Sequence, residues 1–127
     1  MKIFDASAVL AVLFNEAGAD QAVHWLENDD ALISSVNQAE VLAKLLDKGL
    51  SEADVSAISQ QLPLQVVPFN AAQARTAASL RPATRALGLS LGDRCCLALA
   101  RDRPGAQVVT ADRPWAGLAG FDIALIR

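Results

Sequence analysis

The stretch Lys2-Ile3-Phe4-Asp5-Ala6-Ser7 passes from strand-forming residues into a helix-compatible apolar run, Ala6 to Phe14, with no turn residue between them. A strand that feeds a helix this abruptly opens a βαβ unit, and that alternation commits a chain to a parallel sheet covered by helices. It also puts Asp5 at the carboxyl end of the first strand, the edge at which open α/β sheets bind ligands. A carboxylate there is costly unless it is hydrogen-bonded, paired or bound to a cation. Two explanations stand open at Asp5. Either it caps the following helix, with Ser7 as a second candidate cap, or it belongs to a site.

The alternation is sustained along the chain. Asp20 to Glu27 has helical periodicity through Ala22, Val23, Trp25 and Leu26, and Asn28-Asp29-Asp30 turns into a second strand at 31–34. Ser35 with Gln38 has capping-box spacing and predicts a helix to about Lys48, stopped by Gly49. Ser51 with Asp54 opens a shorter helix to about Gln61, and residues 64–67, bounded by Pro63 and Pro68, form a third strand. Asn70 caps an alanine-rich helix ending near Arg81-Pro82, and Ser90 caps the next one. A fourth strand at 108–110 and a fifth at 123–126 are joined by a short or weakly helical connection through Trp115 to Leu118. No repeat, linker or low-complexity tract divides the chain. The expectation is a single domain over residues 1–127, a three-layer α/β/α architecture around a mainly parallel sheet of about five strands.

The 53% hydrophobic content suits a sheet covered on both faces. No run approaches the roughly 18 apolar residues of a membrane span. Lys2, the apolar residues after it and Ala17-Gly18-Ala19 imitate an export signal, but Asp5 falls inside the would-be apolar core, so that reading fails. Cys95 and Cys96 are adjacent, cannot staple distant segments, and point to a reduced, cytoplasmic protein. The single histidine, His24, has no Cys or His at ligand spacing, which excludes a zinc site, and nothing marks a serine nucleophile elbow. The net charge of −3 is uneven: three Lys against ten acids up to Ala72 give −7, and eight Arg against four Asp from Gln73 onward give +4. An Arg-only basic half suits bidentate contacts to phosphate, although solvated helix faces produce the same tally.

The most informative segment is Gly88-Leu89-Ser90-Leu91-Gly92-Asp93-Arg94-Cys95-Cys96-Leu97-Ala98-Leu99-Ala100. Asp93 stands at capping-box distance from Ser90. It also shares a helical face with Leu89, Cys96, Leu97 and Ala100, and an aspartate on an apolar stripe wants a partner. Glu40 lies beside the stripe of Ala39, Leu42 and Leu46, in the first turns after the second strand; the plain alternative is a glutamate favoured by the helix dipole. Asp112 follows the fourth strand. Asp5, Glu40, Asp93 and Asp112 therefore map to one rim of the sheet, where like charges need a cation. Oxygen ligands without His or Cys select Mg²⁺ or Mn²⁺, and such an ion beside basic residues is an arrangement for phosphodiester hydrolysis.

The pieces IFDASA, NQAEVLAKL, LSLGDRCCLALA and VVTADRPWAGL, in this order and spacing, resemble a PIN-domain ribonuclease, closest in kind to the VapC-type toxins of toxin–antitoxin pairs. The resemblance spans the whole chain. It implies an endoribonuclease dependent on Mg²⁺ or Mn²⁺ that cuts structured RNA such as tRNA or rRNA, forms a homodimer and is silenced by a cognate antitoxin. The family's acids carry over onto Asp5, Glu40, Asp93 and Asp112, its small hydroxyl onto Ser7, and its later Thr or Ser onto Thr110. Two departures are visible: Gly92 stands where alanine is common, and the Cys95-Cys96 pair is atypical; neither removes a ligand.

The expected mechanism has the metal held by Asp5 and Asp93, with Asp112 coordinating or acting through water, and Glu40 orienting a metal-bound water or holding a second ion. Ser7 or Thr110 is expected to hydrogen-bond a carboxylate or a phosphate oxygen, and Arg94 and Arg113, each directly after an acid, either clamp RNA phosphates or face solvent. Three rival readings remain. A receiver-like phosphoacceptor domain wants a late-strand lysine, and this chain has none after Lys48. A haloacid-dehalogenase-like phosphatase wants an aspartate where Ser7 stands. A non-catalytic α/β binding module would use all the acids as caps.

Overall fold

The computed structural model describes residues 1–127 and places five parallel strands in the order β3-β2-β1-β4-β5. They are β1 (Lys2–Phe4), β2 (Ala31–Ser34), β3 (Gln65–Val67), β4 (Gln107–Thr110) and β5 (Asp122–Leu125). The helices are α1 (Ala6–Leu13), α2 (Ala19–Asn28), α3 (Ser35–Asp47), α4 (Glu52–Gln61), α5 (Ala71–Ser79), α6 (Arg81–Thr84) and α7 (Leu91–Arg101), with 3₁₀ turns at Arg85–Leu87 and Arg113–Gly117. No helix is long and apolar enough to cross a membrane.

Period-two alternation in the strands divides the core between the two faces of the sheet. Phe4, Ile33 and Val109 point to one face and are buried with Ala8, Val9 and Ala11 of α1 and Ala22 and Leu26 of α2. Their neighbours Ile3, Leu32 and Val108 point to the other, where Cys96, Leu97 and Leu99 of α7 and the buried Trp115 cover them. The three layers of the sequence reading are therefore present, and α3 packs against both α1 and α7 at one end of them.

Local differences have physical causes. The cap of α3 is Ser34, which accepts from the Val36 amide, and not Ser35. Ser35 instead accepts the Phe69 amide after β3, and Gln38 donates to Ser59 of α4. Two adjacent serines offered two caps, and the strand exit took the first. The alanine-rich helix breaks at Leu80, so that Pro82 falls in the first turn of α6, where its missing N–H costs nothing. The last connection carries only a 3₁₀ turn, yet β5 pairs parallel with β4 in register Val108↔Ile123.

The strand order reverses between β1 and β4: β2 and β3 extend to one side of β1, and β4 and β5 to the other. The carboxyl ends of β1 and β4 thus border the crevice where open α/β sheets bind ligands.

The turn from α1 into α2 packs tightly on the exit of β5. Gly18 has φ +90°, and a Cβ there would run into the backbone carbonyl of Ile126; Gly49 has φ +94° with open space around it. Gly49→Ala is expected to cost only the left-handed backbone term, about 1–2 kcal/mol. Gly18→Ala should cost that and roughly 1–3 kcal/mol more for the forced shift of the last strand's exit. Urea melts of the two variants check the difference, and equal losses would remove the close approach from the account.

Candidate active site

Asp5 follows β1 directly and is 2% exposed. It caps α1, with Oδ1 accepting the Ala8 amide at 2.8 Å. Ser7 donates to its carboxylate at 2.8 and 2.9 Å, and Thr110 donates to Oδ2 at 2.6 Å. Each hydroxyl in turn accepts a backbone amide from the exit of β4: Ala111 N–H to Ser7 Oγ at 2.9 Å and Asp112 N–H to Thr110 Oγ1 at 3.0 Å. A hydroxyl that accepts an amide and donates to a carboxylate is polarised in the direction that strengthens both bonds. The expectation that Ser7 and Thr110 touch either a carboxylate or a substrate resolves here to the carboxylate: both protons are spent on Asp5. Capping and site membership, posed as alternatives for Asp5, are met by the same side chain.

Asp93 repeats this economy. It closes a capping box with Ser90, accepting the Ser90 amide on Oδ2 at 2.8 Å while its own amide donates to Ser90 Oγ at 3.2 Å. The box occupies Oδ2, and no hydrogen bond claims Oδ1. Asp112 precedes the Arg113–Gly117 turn but makes no capping hydrogen bond, so its carboxylate is uncommitted. One oxygen from each of Asp5, Asp93 and Asp112 lies within 4.8 Å of the others.

Glu40 stands one step removed. It does not join that trio; its Oε1 accepts from Asn37 Nδ2 at 2.8 Å, and its carboxylate lies over Gly92, where a Cβ would collide with it. Asn37 is fully buried and also donates to the Gly92 carbonyl at 2.9 Å, which ties α3 to the first turn of α7. Asn37 opens the piece NQAEVLAKL but is given no role in the sequence reading, although its i, i+3 spacing to Glu40 was visible. The glycine that departed from the common alanine has its reason here: it makes room for Glu40.

The two basic candidates differ from each other. Arg94 turns away from the rim and donates to the Ala77 carbonyl of α5 at 3.1 Å, with Nε buried and unpartnered. One residue of helix is about 100° of rotation, so the neighbour of a rim acid faces elsewhere. Arg113 is exposed at the start of its turn, with no hydrogen bond or ion pair. His24 lies exposed on α2, its backbone carbonyl accepting from Asn28.

Electrostatics match the crowding. Burial raises the Asp5 pKa from 3.8 to about 7, against the lowering effect of Thr110, Ala8 and Ser7, with the Asp112 charge adding to the rise. Asp112 is also raised, by desolvation and then by Asp93, with Arg127 opposing. Cys96, fully buried beneath the acids, is pushed well above its ordinary value by desolvation, so its thiol stays protonated and inert.

This donor set fits a hard divalent cation. Six-coordinate oxygens at about 2.0–2.1 Å from Mg²⁺ lie roughly 3–4 Å apart, a contraction that three carboxylates within 4.8 Å reach by small side-chain movements. A raised carboxyl also marks the charge deficit that a cation would fill. Asp5, Asp93 and Asp112 are the residues that would hold it.

The PIN domain family model matches residues 2–120. No curated protein matches the chain in sequence. Among solved structures, a toxin–antitoxin complex from Klebsiella pneumoniae contains a chain similar over 100% of this one and 98% of its own length, at 19% identity and TM-score 0.76. A chain of the DNA-bound VapBC complex from Salmonella typhimurium is similar over 99% and 98%, at 17% identity and TM-score 0.74. The sarcin–ricin-loop-cleaving toxin VapC20 of Mycobacterium tuberculosis is similar over 95% and 96%, at 17% identity and TM-score 0.75. At these identities the likeness is one of fold, and it extends from end to end of each chain. With its family match, its parallel sheet and its acids at the β1–β4 switch point, the chain belongs to the PIN domain family.

Proposed function

We propose that the protein is an endoribonuclease dependent on Mg²⁺ or Mn²⁺, the toxin of a toxin–antitoxin pair, acting on structured RNA and held in check by a cognate antitoxin. The observation that carries the reading is the convergence of Asp5, Asp93 and Asp112 at the strand-order reversal, each presenting an oxygen to the same point. A solved toxin–antitoxin complex shares the fold, and so does a protein named as a sarcin–ricin-loop-cleaving toxin, which supports both the partner and the substrate class.

A divalent cation bound there supplies a Lewis acid for the phosphoryl oxygens and lowers the pKa of an attacking water. The chain's residues do the rest. Asp5 is immobilised by an amide and two hydroxyls, and Asp93 by its box, so two carboxylates are placed before any ligand arrives. Asp112, uncapped, adjusts to complete the set. Glu40, held by Asn37, is set to orient the incoming water. No imidazole stands at the rim to deprotonate a ribose 2′-hydroxyl. Water is therefore the nucleophile in this mechanism, and the products carry 5′-phosphate and 3′-hydroxyl ends.

Asp5→Asn, Glu40→Gln and Asp93→Asn should each keep the fold and lose cation-dependent RNA cleavage, with Asp112→Asn losing less. End-labelling of the products reads the chemistry. Wild-type cleavage by Asp93→Asn, or 2′,3′-cyclic ends, would refute the assignment.

A second test needs no RNA. Asp5 holds its proton more tightly in the fold than in the unfolded chain, so the folded state binds more protons between pH 3.8 and about 7. Stability from this group is therefore greatest at low pH, falls as pH rises through that window and levels off above it. Asp112 adds in the same direction. Thermal melts in chelator should show the wild type losing ground to Asp5→Asn as pH rises from 5 to 8. Mn²⁺ at a hundredfold excess over its dissociation constant should restore about 2.7 kcal/mol to the wild type and far less to Asp93→Asn. Equal Mn²⁺ shifts in both would leave Asp93 a cap only.

A further inference from the structure

An open cleft of about 430 Å³ begins at Ser7 and runs between α1 and α3, unused by the cleavage chemistry above. On one wall Leu10 and Phe14 continue the helical face that starts at Ser7. On the other, Lys44 and Lys48 stand four and eight residues beyond Glu40, so the face that presents Glu40 at the rim continues into two cations. Lys48 Nζ lies over the half-buried Phe14 ring, 5.7 Å from its centre, so the cation bridges the two walls of the cleft.

The charges in the cleft are not equivalent. Arg127 is tied to Glu16 at 3.1 Å and to the Ala17 carbonyl at 3.2 Å, and that pair is the only salt bridge in the protein. Lys44 and Lys48 are exposed and have no carboxylate within ion-pair distance. In a chain of net charge −3, two unpaired lysines lining one cleft beside the carboxylate cluster make a local anion site.

We propose that this cleft is a nucleotide subsite for an unpaired stretch of RNA adjoining the scissile phosphate. Lys44 and Lys48 take backbone phosphates, and a base packs against Phe14 and Leu10. The inference rests on the ribonuclease reading and deepens it. A base stacked within a duplex cannot lay its face on an aromatic side chain, so the apolar wall favours a single strand over a helix. An acidic peptide would also satisfy the lysines and is the rival occupant that the test separates; cations at one wall facing an aromatic side chain on the other match the alternation of phosphate and base along a single strand.

The test is binding of a labelled, unstructured oligouridylate to the full chain in chelator, by fluorescence anisotropy across a KCl series. Each phosphate contact on a single strand contributes about 0.7 to the slope of log K against log salt. Lys44→Ala/Lys48→Ala should reduce that slope by about 1.4 and weaken binding about tenfold or more at low salt. Phe14→Leu, which keeps apolar packing, should weaken binding about fivefold or more with the slope unchanged. Arg101→Ala, exposed at the far end of α7, should leave both unchanged. Thermal melts establish that each variant is folded. An unchanged slope in the double lysine variant, or an equal loss from Arg101→Ala, would overturn the subsite while leaving the ribonuclease reading in place. Lysine-dependent binding of an oligoglutamate peptide without matching RNA binding would also overturn it and assign the cleft to an acidic protein segment. Failure of the unaltered protein to bind the oligouridylate would overturn the subsite alone, and RNA cleavage in chelator would count against the cation-dependent reading alone.

Discussion

The buried carboxylate of Asp5 is the interaction on which the rest of the site depends. It sits where β1 ends and α1 begins, and the three donors it accepts come from α1 and from the exit of β4. Ser7 and Thr110 each pass a backbone amide's polarity on to it, so the two central strands are joined at their carboxyl ends through one side chain. An aspartate so buried is expensive, and three donors offset only part of that, as its pKa near 7 records. The residual cost is what the proposed cation would relieve on binding.

Around that fixed point the other acids are held with decreasing rigidity. Asp93 is anchored by its box, Glu40 by a single amide donor, and Asp112 by nothing but its backbone. In the proposed ribonuclease this gradient would suit a site that accepts a cation and then a polyanion. Two groups set the geometry in advance, and the others move to meet what arrives.

Much of this was legible in the sequence because topology does most of the placing. A strand–helix alternation forces residues such as Asp5 and Asp112 to one edge of the sheet, and a helix N-terminus brings Asp93 there, whatever the side chains do afterwards. Directions of side chains were less legible. Arg94 was read as a rim residue because it follows Asp93, but helical rotation sends it under α5. The cap at Ser34 was misplaced by one residue because Ser35 satisfies the same pattern and finds a tertiary partner, Phe69, that no local rule reveals. The charge tally by halves pointed to arginines, whereas the unpaired lysines beside the site come from the acidic half, aligned by the helical repeat of α3. Contacts between segments distant in the chain, such as Asn37 with Gly92, carry no signature in a single sequence.

The bare backbone at Gly92 carries a consequence for how such a chain can change over time. Its missing Cβ is the seat of the Glu40 carboxylate, and its carbonyl is one of the two acceptors of Asn37. Positions 37, 40 and 92 are therefore physically coupled: a methyl at 92 obliges the glutamate to find another resting place and leaves the asparagine amide with half its work. Drift at any one of the three narrows what the other two can tolerate. Relatives that carry alanine at the glycine's position should hold their second acid by a different anchor, so the same four carboxylates can rest on more than one scaffold of supporting contacts.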